Sequence, residues 1–230
     1  MDRQLLADNI AKLQQRVRLG AEKSQRSICD ILVLAVSKTR PAEDIRLAHA
    51  CGLQQFGESY LQEALEKMAQ LEDLDLVWHF IGPIQSNKTR AIAAHFDWVH
   101  GVDRLKIARR LSEQRPAYLA PLQLCLQVNI SGEKSKSGAS LEQLPQLARE
   151  IITLPRLQLR GLMAIPAASA DTRAQRESFA RLRAALLELQ AIAPAMDTLS
   201  MGMSGDLEAA IAEGATILRI GTDLFGARGR

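Results

Sequence analysis

The sequence predicts a single (β/α)8 barrel with one extra N-terminal helix, spanning residues 1–230. Three observations carry that expectation. Short apolar runs alternate with helix-length segments from end to end, there are about eight such runs, and small or polar residues gather where the runs end. A barrel of this kind typically needs about 250 residues, so a chain of 230 is near the minimum. An open doubly wound sheet would want Gly-x-Gly-x-x-Gly after its first strand, where this chain has Ser37-Lys38-Thr39-Arg40-Pro41.

The elements follow in order. A helix over 2–22 precedes the first strand, 31–37, whose Ile-Leu-Val-Leu-Ala-Val-Ser is apolar on both faces, as expected of a strand covered on both sides. A helix starts after Pro41, with Glu43 and Asp44 suited to its N-terminal dipole. Strand 53–56 leads to helix 59–71, strand 76–81 to helix 86–95, and strand 97–102 to helix 105–114. In strand 122–130 the residues Leu122, Leu124, Leu126, Val128 and Ile130 share one face. Gln123, Cys125, Gln127 and Asn129 share the other, which must meet something more polar. Helix 141–152, strand 157–165, helix 172–192, strand 198–201, a short helix at 206–212 and strand 216–221 complete the chain. Helices after every strand imply a parallel sheet, and the strand count favours closure. Closure would bring the strand ends together on the face where barrels build their sites.

Composition narrows the function classes. Apolar residues are 47% and charged residues 24%, ordinary values for a globular protein with a substantial core. No apolar run approaches the roughly 20 residues that cross a bilayer, and Met1-Asp2-Arg3-Gln4 lacks a signal peptide's basic-then-apolar order, so the cytoplasm is the expected location. Cys29, Cys51 and Cys125 have no CxxC spacing, which argues against disulfides and zinc. His49, His95 and His100 show no ligand spacing, and His79 reads as a hydrogen-bonded barrel histidine, so no metal is expected. A net charge of +3, dispersed, with 4% aromatic residues gives nucleic acid little to bind.

Lys38 is the most informative residue. It ends the first apolar strand where the chain enters its loop, a place where an amine can be desolvated. The reference lysine pKa is about 10.4, and lowering it by about three units costs about 4 kcal/mol, within reach of burial and neighbouring cations. A neutral amine there is a Schiff-base nucleophile; the plain alternative is a lysine snorkelling to solvent. The last two strand ends add a second feature. Thr198-Leu199-Ser200-Met201-Gly202-Met203-Ser204-Gly205-Asp206 and Leu218-Arg219-Ile220-Gly221-Thr222 put glycines and hydroxyls where barrels bind phosphate, so Ser200, Met201, Ser204, Gly221 and Thr222 become candidate contacts. By alternation Arg219 shares a face with Gly221 and can point into the barrel. A guanidinium only donates hydrogen bonds, so against a pyridine nitrogen it would keep that nitrogen unprotonated. Ordinary turn chemistry and an ion-paired arginine are the bland readings of the same residues.

Several stretches together make a specific resemblance: Leu34-Ala35-Val36-Ser37-Lys38-Thr39, Phe56-Gly57-Glu58-Ser59-Tyr60, Trp78 through Lys88, Ser135-Lys136-Ser137-Gly138, Arg160 through Pro166, the 200–206 run and Arg219-Ile220-Gly221-Thr222. In this order, over essentially the whole chain, they resemble the pyridoxal phosphate homeostasis proteins, the YggS/PROSC family. The resemblance implies a barrel like the N-terminal domain of alanine racemase, with pyridoxal 5'-phosphate (PLP) held as an internal aldimine on Lys38. It implies further that Ser200, Gly221 and Thr222 hold the phosphate, Arg219 faces the pyridine nitrogen and Met163 lines the ring. The chain departs from the family's Gly-Glu-Asn-Tyr at Ser59, a shorter side chain without the amide's donor–acceptor pair. Lys136 is a candidate second landing point for the cofactor.

Three functions are then in play: a carrier that stores or hands over PLP, a PLP-dependent amino-acid racemase, and a cofactor-free lyase using Lys38 directly. The carrier reading is favoured, with no catalytic residue assigned. A racemase needs a second acid–base group opposite the lysine, and only Tyr60 and Tyr118 are tyrosines here. The carrier role implies apo PLP-dependent enzymes as partners and is compatible with a monomer or a weak homodimer.

Overall fold

The structure, a computed structural model, describes residues 1–133 and 137–227; Lys136 lies outside the described residues. Eight parallel strands close in sequence order: β1 (Leu32–Val36), β2 (Gln55–Glu58), β3 (Val77–Phe80), β4 (Trp98–Val102), β5 (Leu122–Val128), β6 (Leu157–Ala164), β7 (Thr198–Ser200) and β8 (Ile217–Ile220). Closure is made by β8 beside β1, with Leu32 opposite Ile217 and Leu34 opposite Arg219.

Helices alternate with the strands. These are α2 (Ala42–Ala50), α3 (Leu61–Gln70), α4 (Thr89–His95), α5 (Leu105–Gln114), α6 (Leu144–Ile151), α7 (Thr172–Leu189), α8 (Leu207–Ala212) and the four-residue α9 (Thr222–Phe225), all preceded by α1 (Arg3–Lys23). Outward-facing Phe56, Phe80, Val99, Leu122, Leu124 and Leu126 are buried against this ring. The helix stripes complete that core, for example Ile107, Ala108 and Leu111 at i, i+1 and i+4 of α5.

Extra helix α1 is capped by Asp2, whose side chain accepts from the Gln4 amide. It buries Leu6, Ile10, Leu13 and Val17, and at Gly20 a Cβ would sit 2.9 Å from Ile211 of α8. Asn9 donates to the Leu224 carbonyl at 3.0 Å. Arg16 pairs with Glu208 at 2.8 Å and with Asp223, and donates to the Ser204 carbonyl at 3.1 Å. The α1 helix thereby ties down the connections that follow β7 and β8.

The element order matches the sequence expectation, and the boundaries shift where turns compete. The second strand runs over Gln55–Glu58 and not 53–56, because Leu53 N–H returns to Ala48 O (3.1 Å) in the turn closing α2 and Gly52 takes φ +94° there. Pro41 is the cap of α2 and lies outside it. Asp44 is buried in that first turn, where it holds the Met1 ammonium at 2.8 Å.

Candidate functional site

The polar face read from β5 points into the barrel, and the neighbouring strands supply partners of the same kind. His79 on β3 and His100 on β4 are fully buried, with Nδ1 of His79 3.0 Å from Nε2 of His100. His79 Nε2 meets Gln55 Oε1 at 2.8 Å, and His100 Nδ1 meets Ser200 Oγ at 2.8 Å. Arg219 closes the series: its Nη1 donates to Ser200 Oγ (2.8 Å) and to Ser200 O (2.5 Å), and its Nη2 to Ala164 O (2.9 Å). Burial pushes the His79 imidazole down to about 3. It pushes His100 well below the usual histidine range, helped by the charges of His79 and Arg219. Both rings are therefore neutral at pH 7.

Burial also lowers the Arg219 guanidinium to about 10, which leaves it protonated at neutral pH. Among the described residues no carboxylate comes within ion-pair distance of it; Asp206 raises its pKa only through the longer-range field. A buried cation without an ion-pair partner is costly. Arg219 sits on the wall of a cavity of about 320 Å³, at the small end of the roughly 300–1,000 Å³ typical of small-molecule sites. Val36, Lys38, Ile81, Ile165, Met203, Ser204, Gly205, Gly221 and Thr222 line the rest of this cavity.

The two strand-end turns are shaped by specific contacts. Gly202 has φ +94° and a Cβ there would lie 2.5 Å from that of Ala210, so the sharp exit from β7 requires glycine. Asp206 Oδ1 accepts from Met203 N at 2.6 Å, and Ser204 Oγ accepts from Asp223 N at 3.2 Å, which leaves the Ser204 hydroxyl hydrogen for a ligand. Helices α8 and α9 have six and four residues, too short for their dipoles to hold an anion. Arg219 and Lys38 are the cationic side chains among the cavity's described lining residues.

The turn after β1 is built from beneath. Ser37 Oγ donates to Glu58 Oε1 at 2.6 Å, while Lys67 of α3 donates to Ser37 O and to Glu58 Oε1, both at 2.8 Å, and to Glu63 at 2.5 Å. Glu63 accepts from Thr39 N at 2.6 Å, and Thr39 has φ +66°, a conformation a β-branched residue adopts only under constraint. Lys38 is therefore fixed at both neighbours, Ser37 and Thr39. Burial pushes the Glu58 carboxyl up, partly offset by Lys67, and its Oε2 has no hydrogen-bond partner.

Of the residues singled out in the sequence, Lys38, Ser204, Arg219, Gly221 and Thr222 line the one cavity. Ser200, Met201 and Met163 are buried behind its wall, Ser200 against Arg219 and beside Met163 in the β6–β7 register. Ser59 packs its backbone onto Gly82, where a Cβ would lie 2.3 Å from Ser59 O, and it is not among the lining residues. The sequence reading of His79 as a hydrogen-bonded barrel histidine agrees with its contacts, but it did not name the partners Gln55 and His100. Period-2 alternation in β4 puts Trp98, His100 and Val102 on one face, but the contact of His100 with His79 needs the β3–β4 register, His79 opposite Trp98. The Glu58–Lys67–Glu63 cluster left no spacing signal beyond the i,i+4 pair of Glu63 and Lys67.

A closed parallel barrel with a lysine at the end of β1 and a buried arginine on β8 defines a class, and comparison with known proteins agrees: residues 1–229 match the alanine racemase N-terminal domain family. Within that class the chain belongs to the pyridoxal phosphate homeostasis protein family. It is 64% identical over 223 residues to the pyridoxal phosphate homeostasis protein of Pseudomonas aeruginosa, covering 97% of this chain and 96% of the relative. The Escherichia coli K12 protein of the same name is 50% identical over 226 residues, covering 97% of each. The solved structure of PipY from Synechococcus elongatus with PLP bound superposes with a TM-score of 0.80 at 40% identity, covering 96% of this chain and all of PipY.

Proposed function

We propose that this chain is a custodian of PLP: it holds the cofactor in the barrel-mouth cavity through the Lys38 amine and releases it to apo PLP-dependent enzymes. The observation that carries the reading is the buried, protonated Arg219, which has no ion-pair partner among the described residues and shares one cavity with Lys38. Ser204, Gly221 and Thr222 take the phosphate, the Arg219 fork faces the ring nitrogen as an obligate donor, and Ser200, Met201 and Met163 support that wall from behind. Lys38 would hold the cofactor through its amine, and PLP would supply the aldehyde for that bond. The relatives' shared name and the PLP held by PipY support the same ligand for this chain.

What lines the cavity supports custody over turnover. Among its described lining residues the titratable side chains are Lys38 and Arg219. Tyr60 and Tyr118 are exposed and line no part of it. A two-base racemase needs a second acid–base group at hydrogen-bonding reach of the reacting carbon, and this wall provides none. We place the protein in the cytoplasm, acting as a monomer or weak homodimer.

The test is spectroscopic. Purified protein is expected to be yellow or to become so with added PLP, and borohydride should fix a pyridoxyl mass on the peptide containing Lys38. A colourless protein that takes up no PLP overturns the proposal. Rapid interconversion of D- and L-amino acids by the loaded protein would replace custody with racemisation.

A further inference from the structure

The polar series through the barrel has one direction, and that direction can be worked out atom by atom. Gln55 Oε1 only accepts, so the His79 nitrogen facing it, Nε2, carries the hydrogen. His79 Nδ1 is then a lone pair and must accept from His100 Nε2. His100 Nδ1 is in turn a lone pair and takes the hydroxyl hydrogen of Ser200, whose Oγ is left to accept from Arg219 Nη1. The opposite order, with the Gln55 amide turned round, would direct two donors at Ser200 Oγ and give its own hydrogen no acceptor among the described contacts. Only the first order gives the Ser200 hydroxyl hydrogen an acceptor.

We propose that Gln55, His79, His100 and Ser200 are positioning residues, a one-way hydrogen-bond chain that locks Arg219 in place as a donor to the ligand in the cavity. Three of the five guanidinium hydrogens are assigned to Ser200 O, Ser200 Oγ and Ala164 O, which leaves two for the cavity side. The chain is anchored on four strands, β2, β3, β4 and β7, so the arginine inherits the rigidity of the barrel wall. Such satisfaction matters most in a dry interior, where one missing partner is expensive. That the ligand's acceptor is a ring nitrogen rests on the proposed function; the chain itself does not.

Two readouts separate these claims. In histidine-labelled apo-protein at pH 7.5, the ring 15N signals should show both His79 and His100 neutral and protonated on Nε2. An Nδ1–H tautomer or an imidazolium at either residue overturns the chain, whether or not the protein binds PLP. In PLP titrations, His100→Leu should bind at least about tenfold more weakly, the scale of disturbing one hydrogen bond to a charged group, and should shift the visible absorption band. His100→Asn, whose amide oxygen can accept from Ser200 in place of Nδ1, should restore affinity to within about threefold, the scale of a weak neutral contact. Wild-type affinity and an unshifted band in His100→Leu would overturn the positioning role. If His100→Leu does not fold, Gln55→Leu at the half-buried end serves: it should change the His100 15N signals two links away, and unchanged signals refute the coupling. Wild-type protein that refuses PLP while both tautomers are as assigned refutes the ligand and leaves the chain standing.

Discussion

Lys38 and Arg219 divide the work at the scale of single residues. The lysine can make a covalent bond, whereas the arginine supplies a fixed charge that burial lowers to about 10 without discharging at neutral pH. Removing each should therefore fail differently. Lys38→Ala is expected to lose the borohydride-fixed adduct entirely while still binding PLP weakly through Ser204, Thr222 and Arg219, as read by mass spectrometry and equilibrium dialysis. Arg219→Leu should keep an adduct on Lys38 and lose affinity by about ten- to a hundredfold, the value of charge-assisted hydrogen bonds at about 1.5–3 kcal/mol. Lys38 was legible because an isolated lysine ending a long apolar strand is conspicuous. Its supports were not, since Glu58 and Lys67 meet only when β2 and α3 are folded against the β1 turn.

At the scale of elements, that support has a lopsided energetics. Lys67 is 6% exposed and Glu58 fully buried, so removing the cation abandons a carboxylate in the interior. Lys67→Met should destabilise by about 3–5 kcal/mol in urea unfolding. Glu58→Gln should cost only about 1 kcal/mol, because its amide oxygen still accepts from Ser37 and Lys67 while the amide nitrogen replaces an oxygen that had no partner. Equal losses in the two variants would contradict this account. The β7 exit makes a second case. Gly202→Ala imposes a side chain at φ +94° and 2.5 Å from Ala210 Cβ, and about 1–3 kcal/mol of destabilisation is expected, with weaker PLP binding because Ser204 moves with the turn. Thermal denaturation and PLP titration of the one variant test both halves.

For the whole molecule, the buried neutral histidines make stability depend on pH with a definite sign. His79 has a folded pKa of about 3 against an unfolded value of about 6.5, so below pH 6.5 the unfolded chain binds the extra proton. Stability should accordingly fall as pH drops from about 6.5 towards 3, by up to about 1.4 kcal/mol per pH unit for one fully linked proton. His100 is lowered in the same direction and adds to the slope. Glu58, raised by burial, acts oppositely: it costs stability as pH rises above its unfolded value of 4.5, which partly flattens the curve near that pH. His79→Gln should lower the urea midpoint at pH 7.5 and show a shallower decline between pH 6.5 and 5. A variant slope equal to that of the wild type would mean that His79 titrates normally in the fold.

Periodicity and strand count pointed to the closed barrel and the extra helix, and strand-end chemistry marked Lys38, Ser204, Arg219, Gly221 and Thr222, which the fold gathers around one cavity. Those features are local: an apolar run, a turn glycine or a strand-end lysine carries its meaning within a few residues. Tertiary structure alone decided that Ser200 backs Arg219, that His79 meets His100 and that Lys67 reaches beneath Lys38. Each of those contacts joins different strands, or a strand and a helix, and depends on a register that only barrel closure fixes. Burial then gives them their force, since the same groups in water would titrate and bond to solvent. The sequence marked residues that line one cavity, and the closed barrel decided which side chains pack behind them.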